Sequence, residues 1–160
     1  MPLWQIYHPP NIFTDDATKQ SFAKDITKIY TGFGLPAFYV VVQFISIENE
    51  NVFVGGRTRT SHLDTDKPFV RVVITHIAVH VPEADDAYTR VTSRLDEVMK
   101  PHLLDRGYDV EYHVDETERR LWKINGLVPP PHKSAEEQIW VQENRAMPYP
   151  LAVPTTSISD

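Results

Sequence analysis

The chain has 160 residues, a formal net charge of -6 and no cysteine. That length suits one domain with a sizeable core. The acidic balance argues against nucleic acid or an anionic membrane as partner, and the missing thiols exclude disulfides, thiol catalysis and zinc–thiolate sites. Residues 1–30 hold no basic stretch followed by an apolar run, and the longest apolar stretch, Phe38 to Ile47, is interrupted by Gln43. Neither a signal peptide nor a membrane span is therefore expected, and the protein reads as soluble and cytoplasmic.

A short strand is expected over Leu3 to His8, ended by Pro9-Pro10-Asn11. Thr14-Asp15-Asp16 opens a helix with acidic groups in its first turn. Phe22, Ala23, Ile26, Ile29, Tyr30 and Phe33 recur at helical spacing, so this helix runs from about Asp15 to Thr31. Gly32 and Gly34 stop it, with Pro36 just beyond. Phe38 to Ile47 is β-branched and aromatic and reads as a buried strand. Together these make one β-α-β unit. Asn51 to Gly56 looks like a short edge strand ending in a Gly-Gly turn.

A second unit repeats the order. Phe69 to His80 is another long β-branched run. Pro82 and Glu83 to Asp86 open a helix carrying Tyr88, Val91, Leu95, Val98 and Met99, and Gly107 breaks the chain before a strand over Tyr108 to Val114. Glu116 to Asn125 reads as a helical turn or two, Val128 to Pro131 as a stiff spacer, and Ser134 to Glu137 as a capped helix start. The expected fold is α/β (α+β): one domain over residues 1–147, its β-α-β halves at about 2–50 and 68–115, followed by an extended or mobile tail over 148–160. Two such units give a four-stranded sheet with two helices on one face. The other face has no cover within the chain, so an oligomer is expected.

Pro2 is the residue that points to chemistry. With Met1 removed it is a secondary amine at the head of a strand. An α-amine titrates near ~8 in water, and desolvation or nearby cations pull that value towards neutrality, where a base for protons beside a carbonyl works best. Arg57 and Arg59 follow the Gly-Gly turn, and Arg71 lies within an apolar strand, where its planar fork suits a carboxylate. Salt bridges within the protein are the competing explanation for each. His76 and His80, four apart on one strand, would stand about 13 Å apart, too far to share a metal. His80, at the strand end, is the better site candidate, and His76 reads as a separate polar or core residue.

With Pro2 and two β-α-β copies in view, the chain resembles the tautomerase superfamily, whose fold includes that of macrophage migration inhibitory factor. It is most similar to the cis-3-chloroacrylic acid dehalogenase group and to fungal oxalocrotonate tautomerase-like proteins. Lys19 to Gly32 (KQSFAKDITKIYTG), Asn51 to Gly56 (NVFVGG) and Arg106 to Pro131 (RGYDVEYHVDETERRLWKINGLVPPP) carry the likeness, which runs to about Ala146. The resemblance implies a homotrimer, no cofactor, Pro2 as catalytic base and Tyr112 as an active-site tyrosine. Tyr30 stands where the dehalogenase has a histidine, Lys123 where it has its water-activating glutamate, and His80-Val81-Pro82-Glu83 where it has its substrate arginines. Proton transfer by Pro2 is therefore expected over hydrolytic dehalogenation. Pro2 would act on a small keto or enol acid, with Arg59, Arg71, His80 or Lys123 on its carboxylate or enolate and Tyr112 donating a hydrogen bond. The alternatives are a non-catalytic trimer that binds a ligand or partner, a related hydratase or dehalogenase, and a ferredoxin-like dimer acting as a cofactor-free oxygenase.

Overall fold

The structure is a computed structural model that describes residues 1–59 and 67–150. Four strands form the main sheet: β1 (Pro2–His8), β2 (Val41–Ser46), β5 (Phe69–Ile77) and β6 (Asp109–Thr117), in the order β2-β1-β5-β6. The outer pairs β1/β2 and β5/β6 are parallel, each bridged by a helix, α1 (Asp16–Thr31) or α2 (Asp85–Met99). The central pair β1/β5 is antiparallel, so the two β-α-β units meet back to back.

Strand period decides which side chains enter the core. Trp4 and Ile6 on β1 alternate inward with Val70, Val72 and Ile74 on β5, and all five are fully buried. They pack against Phe22 and Ile26 of α1 and Leu95 and Met99 of α2. Asp15 starts α1 by accepting the Thr18 amide at 2.7 Å, which satisfies one of the first unpaired N–H groups of the helix.

The opposite sheet face is left open by both helices. Register places Ile45, Tyr7, Arg71 and Glu111 in one cross-strand row and Gln43, Gln5, Val73 and His113 in the next. It is a mixed face rather than the wholly apolar one that the runs imply, because period-2 alternation sends every second residue inward.

Several boundaries differ from expectation. Residues Ala37–Tyr39 form a 3₁₀ turn, so β2 starts at Val41 instead of Phe38. β5 ends at Ile77, because Ala78 takes a left-handed φ of 71° and turns the chain before His80. Asn51 to Gly56 contributes no edge strand to the main sheet. Phe53–Val54 (β3) and Arg57–Thr58 (β4) pair with each other instead, across Gly55 and Gly56 at φ 58° and 79°. Two positive φ values in succession are what a type I′ hairpin turn requires, and glycine supplies them without strain. Asn125-Gly126 makes a second turn of this kind, where Ile124 and Leu127 bridge.

The C-terminal segment builds a second, smaller core. Trp122 and Trp140 of α3 (Ala135–Glu143) enclose Tyr39, and all three are buried. Tyr149 packs its ring against Trp140 and donates to the Val128 carbonyl at 2.8 Å, anchoring the chain there. The rest of the expected tail, from Leu151, lies outside the described residues.

Candidate active site

Pro2 is fully buried and pairs in register with His76 of β5. Met1 extends that ladder: its carbonyl accepts the Ile77 amide at 2.7 Å and its ammonium donates to the Ile77 carbonyl at 2.6 Å. With Met1 attached, the Pro2 nitrogen is an amide nitrogen without basicity. Burial pulls the amine at this chain end down from 8.0 to about 5 against the opposing negative charge of Glu137. An amine uncovered at Pro2 would sit in the same dry place.

Both residues border a cavity of about 430 Å³. Its walls come from four sources. α1 and the turn after it supply Tyr30 and Phe33, α2 supplies Arg90, Val91 and Arg94, the end of β5 and the loop after it supply His76 to Val81, and the C-terminal segment supplies Arg119, Trp122, His132, Lys133 and Glu137. Tyr39 closes it beside Trp122. Among the described residues no cluster of His, Asp and Glu could hold a metal ion.

Three polar groups lie deep beside Pro2. The Trp4 indole N–H donates to the Tyr30 hydroxyl at 2.9 Å, and that hydroxyl lies 2.9 Å from His76 Nε2. Burial lowers the His76 pKa and holds the imidazole neutral, while the same burial raises the Tyr30 phenol. At the mouth, Arg90 and Arg94 stand one helical turn apart, with the Arg94 guanidinium 4.8 Å from the Phe33 ring centre. Arg90 also pairs with Asp86.

Of the residues singled out from sequence, the cavity gathers Pro2, Tyr30 and His80. His80 reaches it from the loop after β5, its Nδ1 3.3 Å from Glu116. The others lie elsewhere in the chain. Arg59 pairs with Asp109 and stacks on Phe69. Arg71 pairs with Glu111 and lies 3.0 Å from His113 Nδ1 on the open sheet face. Lys123 is exposed, one residue past Trp122. Tyr112 pairs in register with Val72, four residues along β5 from His76 and so about 13 Å away. Its hydroxyl donates to Asp96 at 2.8 Å, and burial with that contact pushes its pKa up to about 12.

His76, Arg90, Arg94, Arg119 and Glu137 were missed. The alternation Val70, Val72, Ile74, His76 already points His76 inward, and Arg90 with Arg94 share a helix face at i, i+4. Glu137 reads in sequence as a first-turn acid of α3. Its carboxylate instead bypasses Ser134 and accepts from the Lys133 amide at 2.7 Å.

These features define the class. The family model described as "Putative oxalocrotonate tautomerase enzyme" matches residues 1–145. Native RhCC from Rhodococcus jostii RHA1 is 38% identical, with a TM-score of 0.81 over 92% of this chain and 99% of that one. A probable enzyme from the thermophilic fungus Aspergillus fumigatus is 40% identical, with a TM-score of 0.80 over 93% of this chain and 98% of that one. At 18% identity, the asymmetric trimer of fused 4-OT shares the fold, with a TM-score of 0.53 over 79% of this chain and 94% of that one. A comparison with curated proteins gives no match. The fold is that of the tautomerases. Within them, the chain belongs to the oxalocrotonate tautomerase family that the matching model describes.

Proposed function

We propose that the protein, once Met1 is removed, is a cofactor-independent tautomerase in which Pro2 takes a proton beside the carbonyl of a keto or enol acid and returns it to another atom. The observation that carries this reading is the burial of Pro2 at the edge of a 430 Å³ cavity whose mouth holds paired arginines. A dry amine is neutral near physiological pH and can accept a proton. Arg90 and Arg94 hold the substrate carboxylate, with Arg119 as a third cation inside. His80 stands within reach of the enolate oxygen from the same wall as Pro2. Stabilising that developing charge is the larger share of catalysis in such sites.

Tyr112 and Lys123 join this site only from a neighbouring subunit, since their own chain holds them away from the cavity, while Arg59 and Arg71 are engaged by Asp109 and Glu111 outside it. A homotrimer supplies that neighbour, and a trimeric relative of the same fold supports it. The relatives near 40% identity come from a bacterium and a fungus alike, so they support the wider family ahead of its fungal branch.

The test is ketonisation of phenylenolpyruvate by processed protein and by Pro2→Ala. Loss of a positioned base lowers the rate by about 10²–10⁴, with the fold intact by circular dichroism. Undiminished turnover in Pro2→Ala removes the mechanism. An intact mass that still includes Met1 favours the second reading, a ligand-binding protein on the same scaffold, because the acylated nitrogen holds no proton.

A further inference from the structure

We propose that His76 is a catalytic hydrogen-bond donor, its Nδ1–H bound to the enolate oxygen of the acid that Pro2 deprotonates. The inference deepens the function proposed above and rests on it for the role of Pro2.

Strand pairing sets the distance. Met1 and Ile77 exchange both backbone hydrogen bonds across β1 and β5, at 2.6 and 2.7 Å. The next pair along an antiparallel ladder exchanges none, and its Cα atoms close to about 4.5 Å. That pair is Pro2 and His76, and proline suits it because it has no N–H to leave unpaired. The two strands remain paired from Leu3 and Thr75 onward once Met1 is gone. Residues directly opposite share a face, here the buried face of Trp4 and Ile74, so the imidazole stands beside the proline ring.

Hydrogen bonds fix which nitrogen carries the proton. The Trp4 indole donates to the Tyr30 hydroxyl, whose own proton goes to His76 Nε2, 2.9 Å away. A neutral ring that accepts at Nε2 carries its proton on Nδ1. Burial raises the Tyr30 phenol and lowers the His76 imidazolium, so both groups keep these protons at neutral pH. His76 is 8% exposed and borders the cavity, yet Nδ1 takes no hydrogen bond among the described residues. Nor is it one of the sealed side-chain atoms there. A donor so placed takes its partner from the cavity.

Proton abstraction supplies that partner. As the C–H bond breaks and an N–H bond forms on Pro2, the electron pair moves into C=C and the carbonyl oxygen takes the negative charge. That oxygen is two bonds from the proton's carbon, so its donor must stand next to the base. His76 does, whereas His80 approaches from beyond the turn at Ala78. Nδ1 keeps its proton throughout, because Tyr30 occupies the nitrogen that would take one in exchange. Neutrality matters as well: Pro2 becomes a cation as it takes the proton, and a charged donor in the same dry place would oppose it. A fixed donor aimed at developing charge is worth most where water is excluded.

Kinetics and NMR on the processed protein test this together. His76→Phe should lower kcat for phenylenolpyruvate by about 10² or more, the cost of one oxyanion donor, with little change in KM. His76→Asn keeps an N–H where Nδ1 stands and should recover roughly tenfold or more of that loss. In ¹⁵N-histidine-labelled wild type, the His76 signal, assigned by its absence in His76→Asn, should show the proton on Nδ1. Oxalate, a planar mimic of the enolate of a 2-oxo acid, should shift that Nδ1 resonance. Should His76→Phe fail to fold by circular dichroism, the tautomer and the oxalate shift still decide. A folded His76→Phe that keeps its kcat, equal losses in the two variants, a proton on Nε2, or no shift with oxalate overturns the inference. Failure of the proposed function reads out separately, as turnover that survives Pro2→Ala.

Discussion

The Tyr30 hydroxyl and His76 Nε2 meet at 2.9 Å inside the protein, joining the end of α1 to the end of β5 beside Pro2. Because the Trp4 N–H already fills one acceptor site on that oxygen, donating the hydroxyl proton to Nε2 satisfies all three groups. This assignment, made from hydrogen-bond satisfaction, puts the His76 proton on Nδ1. Tyr30→Phe strands the Trp4 N–H and leaves Nε2 without its donor, so it should destabilise the protein by about 1–3 kcal/mol. The His76 pKa is lowered from 6.5 by burial, so below that pH the unfolded chain binds a proton that the folded one refuses. Stability should therefore fall as pH drops below 6.5, and His76→Gln should flatten that slope. Urea unfolding at several pH values measures both, and an unchanged slope in His76→Gln removes the buried neutral imidazole.

The amine that Pro2 exposes after Met1 removal should titrate below the ordinary 8.0 of a chain terminus, since burial already brings the Met1 amine to about 5 at the adjacent position. A base acts when neutral, so kcat/KM should rise with pH through a limb lying between those two values and then level off. Glu137 opposes the shift, so Glu137→Gln should move the limb to lower pH. A limb at or above pH 8 would show a solvated amine.

Much of the architecture was legible because it is local. Asp15 and Gly32 mark the ends of α1, and two β-branched runs mark the central sheet. The parts that escaped depend on contacts distant in sequence. Tyr39 reads as a strand residue until Trp122 and Trp140 arrive around it from the C-terminal segment. Lys123 and Trp122 are adjacent, yet only Trp122 faces the cavity, a distinction set by one residue of register. Arg71 looked like an anion binder in an apolar strand, and Glu111 answers it from the next strand. Pro2 could be set at the head of β1 from the sequence alone, whereas the cavity it borders is visible only in the fold.

The carboxylate cations should sort cleanly by kinetics. Arg94→Gln and Arg90→Gln each remove a charged donor from the mouth of the cavity, so KM for an enol acid should rise roughly tenfold or more, with a smaller change in kcat. Arg59→Gln should leave KM unchanged, because its partners are Asp109 and Phe69. The reverse pattern would place the acid away from this cavity.

Assembly follows from the open sheet face. Leu3, Tyr7, Val41, Ile45, Phe69 and Val73 alternate there with Gln5, Gln43, Arg71, Thr75 and Glu111, by the register of four strands. A surface that is half apolar and half polar suits an interface, and covering even a few hundred Å² of its apolar part is worth many kcal/mol at about 25 cal/mol per Å². Sedimentation equilibrium should give three times the 18.4 kDa chain mass at micromolar concentration. Arg71→Glu turns the Arg71–Glu111 pair into two facing carboxylates in the middle of that surface, so it should weaken association while leaving the buried core of Trp4, Ile6 and Val72 untouched. If Tyr112 and Lys123 complete the site across subunits, as proposed, activity should fall in step with trimer content as this variant is diluted. A wild-type chain that sediments as a soluble monomer and still turns over phenylenolpyruvate would remove both the trimer and the shared site.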